Sequence, residues 1–309
     1  MDCDNNPGTQ LCMKLDDDQS TCHRCTNLRL SFSHFDFLDF LPRRESVSTC
    51  WKTHCDEAMC GIFCSLSRSH HVSADEQVLA LLQRRGPDST GCVQQIHSER
   101  HEELSPGQGT NTAVYLNFTS TVLSLRGSKT VSQPLQDGDQ SYVLCWNGEA
   151  WTIAGHPTEG NDTRAIFDLL SKAATQSRAM ALSSQDAANN IAQHMASVSG
   201  PYSFVFYDRL SSRVYLGRDF LGRRSLLWKS NKAGGLLISS VTAGSLDGAW
   251  SEIEADGVYC IDLSVSKPSS GADRTSGLPS SFAVAKVPYH VTTDGSTTDP
   301  LSVGKQSTP

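Results

Sequence analysis

The chain has 309 residues, and its formal net charge of -7 argues against a nucleic acid or an anionic membrane held by bulk charge. Hydrophobic residues make up 38% and charged residues 19%, enough for a packed core over part of the chain. No apolar run approaches the roughly 20 residues that span a bilayer, and the acidic start Met1-Asp2-Cys3-Asp4 lacks the basic-then-apolar order of a secretory signal. A cytoplasmic protein is expected, with neither nucleic acid nor membrane as a partner.

Residues 1–58 show no sustained period and read as a poorly ordered N-terminal extension. Six of the 11 cysteines fall there: Cys3, Cys12, Cys22, Cys25, Cys50 and Cys55. An odd count without a secretory signal argues against a disulfide framework. Cys22-His23-Arg24-Cys25 offers a zinc half-site, but Cys50 and Cys55 lack the spacing and glycine framework of the other half, so no metal site is predicted.

From Met59 the pattern changes. Cys60 to Leu66 is a short apolar strand. Ser73-Ala74-Asp75-Glu76 is a capping-box start with Ser73 as the cap, Val78, Leu79, Leu81 and Leu82 recur at helical spacing, and Gly86-Pro87 stops the helix near Arg85. Residues 98–111 read as a polar loop. Strands follow at Thr112 to Phe118, Thr121 to Leu125 and Tyr142 to Trp146. Helices are predicted from about Asp162 to Ala174 and from about Gln185 to Val198. Tyr202 to Tyr207 and Arg213 to Leu216 flank a polar turn, as in a hairpin, and Leu236 to Ser239 and Gly257 to Leu263 are further strands. This is a mixed α+β domain on antiparallel sheets over 59–263. Residues 264–309, rich in Ser, Thr and Gly, read as a disordered tail.

Several residues carry the pattern of amide hydrolysis. A thiol nucleophile needs a base, and a cysteine that begins its chain has one in its own α-amine, so removal of Met59 would equip Cys60. Arg126, after a strand, offers a planar fork for a carboxylate. In Trp146-Asn147-Gly148-Glu149, the Asn147 side chain and the Gly148 backbone N–H are donors suited to a developing oxyanion. Asp162, at a helix start, is an anion for an ammonium group or a plain helix cap. Asn147-Gly148 is by itself a turn signal, Cys60 by itself a small buried hydrophobe, and Arg85 and Asp88 read as braces of the fold. Arg218-Asp219 and Arg223-Arg224 read as structural or as part of an interface with another domain.

Taken in order, Met59-Cys60-Gly61-Ile62, Arg84-Arg85-Gly86-Pro87-Asp88, Trp146-Asn147-Gly148-Glu149, Asn161-Asp162-Thr163, Gly200-Pro201-Tyr202-Ser203-Phe204 and Gly217-Arg218-Asp219-Phe220-Leu221-Gly222-Arg223-Arg224 resemble the class II glutamine amidotransferases, in the asparagine synthetase branch. The resemblance covers residues 59–263. It implies the N-terminal-nucleophile fold, a four-layer αββα sandwich of two antiparallel sheets. It further implies Cys60 as nucleophile, Asn147 and Gly148 as oxyanion hole, and Arg126, Glu149 and Asp162 as glutamine contacts. Gly127-Ser128-Lys129-Thr130 departs from the family's apolar substrate loop.

The implied reaction is hydrolysis of L-glutamine to glutamate and ammonia through a Cys60 thioester, with the ammonia supplied to asparagine biosynthesis. That hydrolysis needs no cofactor and no metal. ATP and Mg belong to a synthetase domain that the tail is too short to contain, and Ser269-Ser270-Gly271-Ala272-Asp273-Arg274 only faintly echoes its pyrophosphate loop. A synthetase domain or longer isoform is the partner expected beside glutamine. With residues 1–58 attached, Cys60 has no free amine, and the alternative is a catalytically silent glutamine-binding or interaction module.

Overall fold

The computed structural model describes residues 59–98, 113–231, 234–243, 250–264 and 282–289. The N-terminal extension, the polar loop after residue 98, the six early cysteines and the Ser269–Arg274 stretch lie outside the described residues.

In chain order the elements are β1 (Gly61–Ser67), α1 (Glu76–Arg85), β2 (Ser89–Ser98), β3 (Ala113–Val122), β4 (Leu135–Gln136), β5 (Tyr142–Gly148), β6 (Thr152–Ile153), β7 (His156–Pro157), α2 (Asp162–Ala179), α3 (Ser184–Ala196), β8 (Val198–Ser199), β9 (Tyr202–Asp208), β10 (Arg213–Arg218), β11 (Leu227–Ser230), β12 (Leu236–Ser239), β13 (Ser251–Glu252), β14 (Gly257–Asp262) and β15 (Ala283–Pro288). They build two six-stranded sheets, β13-β11-β12-β1-β3-β2 and β15-β14-β10-β9-β5-β4, with a small β7-β6-β8 sheet at the side. Every named strand pair is antiparallel.

Side chains sort the layers. Ile62, Leu66, Leu116 and Phe118 of the first sheet meet Val143, Cys145, Val205 and Tyr207 of the second in one buried cluster between the sheets. Ile166, Leu170, Ile191 and Met195 of α2 and α3 cover the opposite face of the second sheet, on Trp146, Phe204 and Phe206. Val78 and Leu82 of α1 cover Phe63 on the outer face of the first. The result is the four-layer αββα sandwich of the α+β class.

This layering explains why the strands lack polar alternation. All seven residues of β1 are buried, because one face meets the other sheet and the other face meets α1. The same burial corrects the reading of two strands around residue 120. β3 runs unbroken, and two of its polar residues find partners within the fold: Asn117 Nδ2 donates to Val72 O (3.1 Å) and Thr121 Oγ1 to Leu82 O (2.6 Å). The sequence reading missed β2, an edge strand whose large apolar residues are only Val93 and Ile96.

Two further expectations change. Asp75, not Ser73, caps α1, its carboxylate accepting from Val78 N at 2.8 Å. The stretch from 264 onward is not all unstructured tail, for β15 pairs with β14 along six residues, from Gly257–Pro288 to Asp262–Ala283. Val287 is 1% exposed there, so sheet pairing and core burial order a segment whose own composition is weak.

Candidate active site

Four segments far apart in sequence converge on one cleft, open to solvent. They are the start of β1, the loop after β3, the end of β5 and the start of α2. Cys60, Arg126, Asn147, Gly148, Glu149 and Asp162 all line it. The sequence-predicted set is thereby gathered in one place.

Cys60 stands at the mouth of β1, held by the β1–β3 ladder that pairs Gly61 with Thr121. Its Sγ lies 3.7 Å from Leu123 O. Burial pushes the thiol above its ordinary value, and Asp162 adds to that rise, while the guanidiniums of Arg224 and Arg85 oppose it. Met59 N donates to Arg85 O at 3.3 Å, and the nitrogen of Cys60 is an amide in this chain.

Asn147 ends the inner face of β5 at 1% exposure, and neither its Nδ2 nor its Oδ1 has a hydrogen-bond partner. A buried carboxamide left without a partner costs stability. Gly148 follows. The Trp146 N–H points away from β9 to Gln133 Oε1 at 2.7 Å, whereas Glu149 N points to Pro201 O on the β9 side at 2.9 Å. By the alternation of a strand, the Gly148 N–H therefore faces the cleft side with that of Trp146. Only glycine fits, because a Cβ at 148 would stand 2.5 Å from Pro201 O.

Asp162 is the first residue of α2 and does not cap it. The Asn161 side chain does, accepting from Thr163 N at 3.0 Å. The Asp162 carboxylate is 5% exposed, with Oδ2 accepting from Ala150 N (2.8 Å) and the Trp146 indole (3.3 Å). Burial pushes this carboxyl above its ordinary value, opposed by those two donors and by Arg126. Arg126 donates from Nη1 to Ala150 O (2.7 Å) and from Nη2 to Thr158 O (2.8 Å). Two of its five N–H groups are thus engaged and the fork is fixed in direction.

Other motif residues hold the frame. Arg85 donates to Ser240 O (2.8 Å), and Asp88 Oδ2 accepts from Ser124 N (2.7 Å), tying down the loop that carries Arg126. Asp219 accepts from Tyr202 N, Leu221 N and Arg223, while Arg218 donates to the carbonyls of Gly222, Arg224 and Ile253. These bear out the structural reading. Arg224 does not fit it, because its guanidinium lines the cleft 3.6 Å from Glu149 Oε1. Gln133 also escaped the sequence reading, and nothing in its local sequence marks it. Residues 127–130, which depart from the family loop, are exposed.

Among the described residues no group of three His, Cys, Asp or Glu is placed to hold a metal ion. No described helix is long and apolar enough to cross a membrane.

Comparison with known proteins gives the family of the chain. Residues 59–259 match the model of a glutamine amidotransferase domain family. Asparagine synthetase domain-containing protein 1 of Bos taurus is 36% identical over 211 residues, 66% of this chain and 29% of the relative. Its Homo sapiens counterpart is 36% identical over 212 residues, 66% of this chain and 28% of the relative, so the chain spans under a third of the relatives it matches. A glutamine phosphoribosylpyrophosphate amidotransferase structure from B. subtilis superposes at a TM-score of 0.40 and 13% identity, covering 74% of this chain and 49% of that one, too distant to carry an argument. With its matched region reaching from Met59 into β14, the chain belongs to the glutamine amidotransferase domain family, and it is similar over two thirds of its length to asparagine synthetase domain-containing protein 1.

Proposed function

We propose that a form of this protein beginning at Cys60 hydrolyses L-glutamine to glutamate and ammonia. One observation carries the reading: Asn147, whose buried carboxamide has no hydrogen-bond partner, lines the same cleft as Cys60. The α-amine takes the thiol proton, and Sγ attacks the side-chain amide carbon. Asn147 Nδ2 and the Gly148 N–H receive the oxyanion, each such donor supporting about 10²–10³ in rate. Collapse transfers the proton from the ammonium to the leaving nitrogen, releasing ammonia and leaving a thioester. Water, with the amine as base, then frees glutamate. Arg126 and Glu149 with Asp162 hold the α-carboxylate and α-ammonium of the substrate.

Neither metal nor nucleotide enters these steps. The similarity to asparagine synthetase domain-containing proteins makes asparagine biosynthesis the natural use of the ammonia, with a synthetase domain or longer isoform as partner and the cytoplasm as location. The test is a full-length chain with a protease site placed directly before Cys60, cleaved after purification and assayed for glutamate release. Turnover that appears on cleavage and vanishes in Cys60→Ala supports hydrolysis.

A second reading has its own observation, the Met59–Cys60 peptide bond, with Met59 N held by Arg85 O. Chains that keep this bond would bind glutamine without turning it over. Glutamine binding by the uncleaved chain, with no turnover, would favour it.

A further inference from the structure

Arg224 lies behind a rigid turn and reaches into the cleft. Arg218 Nε holds its main-chain oxygen at 2.7 Å, and Arg218 Nη1 is anchored to Ile253 O at 2.9 Å. From that base Arg224 Nη1 donates to Met59 Sδ at 2.9 Å and Nη2 lies 3.6 Å from Glu149 Oε1, while its buried Nε has no partner. On the other side Arg85 Nη2 also donates to Met59 Sδ, at 3.3 Å. Two guanidiniums thus converge on one thioether sulfur, a weak acceptor for a charged donor.

The charges around this point can be placed. Arg85, Arg126 and Arg224 stand against Asp162 and Glu149. Asp162 accepts from Ala150 and Trp146, and Arg126 is turned to Ala150 O and Thr158 O. Arg224 and Arg85 both act on Cys60 in the direction that favours an anion there, while Asp162, the strongest single charge acting on that residue, works the other way. A cation at the same residue meets the opposite sign, since a like charge within about 4–6 Å disfavours the charged form.

On the hydrolytic reading above, we propose that Arg224 is a positioning residue for Cys60. Once Met59 is gone, its guanidinium faces the new α-nitrogen and keeps it uncharged, so that the amine can accept the Cys60 thiol proton near neutral pH. The transfer breaks the S–H bond and forms an N–H bond. The thiolate it leaves is stabilised by the same guanidinium.

The test titrates the amine directly. The full-length chain with a protease site ending directly before Cys60 is labelled with ¹³C-cysteine and cleaved, and the resonance that appears on cleavage is followed against pH. In the wild type it should titrate below the ~7.7–8.0 of an ordinary α-amine. Arg224→Gln should move the midpoint up, leaving about 3–10-fold less neutral amine at pH 7, and Arg224→Lys should restore most of the wild-type position. Added salt should move the wild-type midpoint the same way as Arg224→Gln, a check that needs no variant to fold. The acidic limb of the glutaminase pH profile should follow; a purely structural role would lower the rate at every pH alike. A wild-type midpoint at the ordinary value, insensitive to salt, overturns the proposal. Cleaved protein that shows the shifted titration without turnover supports this inference and counts against hydrolysis; turnover with an unshifted amine does the reverse.

Discussion

Asn161 caps helix α2, and Asp162, the residue after it, does not. The division matters because the Asn161 cap leaves the Asp162 carboxylate to be turned toward the cleft. Asn161 takes Thr163 N at 3.0 Å, which frees the Asp162 carboxylate to sit at 5% exposure in the cleft with Ala150 N at 2.8 Å. Asn161→Ala should therefore lower stability by about 1 kcal/mol, read by chemical denaturation, while changing glutamine turnover far less than a change at Asp162.

Asp162→Asn separates stability from function. The folded chain holds the Asp162 proton more tightly than the unfolded chain, because burial raises its pKa. The native state therefore loses stability as pH rises from the ordinary aspartate value through the raised one, and the penalty is fully present above it. The Asp162→Asn variant should melt at or above the wild-type temperature at pH 7, with the gain absent at low pH. Its KM for glutamine should rise by about 10–100-fold, since a ground-state contact to the ammonium is gone. A lower melting temperature at pH 7 would contradict the cost assigned to this buried carboxylate.

Asn147→Leu removes a carboxamide that bonds to nothing in the folded chain. Its stability should be unchanged or higher, because no protein hydrogen bond is lost. Glutamine hydrolysis by the cleaved protein should fall by about 10²–10³ in kcat with little change in KM. A large loss of folding stability would show that Asn147 is structural instead.

Gly148→Ala tests the close approach of β5 and β9. The added methyl would stand 2.5 Å from Pro201 O and 2.7 Å from Tyr202 Cβ, so strands must separate. About 1–3 kcal/mol of stability should be lost in urea unfolding. Wild-type stability in this variant would mean the strand end is looser than the structure has it.

Cys60 reactivity should report its surroundings. Burial holds the thiol above its ordinary value in the uncleaved chain. Alkylation of Cys60, followed by peptide mass, should be slower than that of exposed Cys92 at pH 8 and rise only at higher pH. Cleavage before Cys60 should accelerate it at pH 8. Equal rates before and after cleavage would argue that no base has been created.

The residue types of the site were legible along the chain because each is a chemical necessity within a short motif: a thiol before glycine, an arginine after a strand, Asn-Gly at a strand end, an acid at a helix start. The helices were legible too, since α1, α2 and α3 each bury one face and keep a 3.6-residue period. Tertiary structure decided what periodicity cannot carry. β1 and β3 lose their alternation because both of their faces are covered, and β15 becomes a strand only by pairing with β14. It also assigned Arg224 to the cleft and Asn161 to the cap, choices made by side-chain direction and not by residue type. Gathering Cys60, Arg126, Asn147 and Asp162 into one cleft required two sheets packed face to face, because burial between layers joins segments that sequence separates.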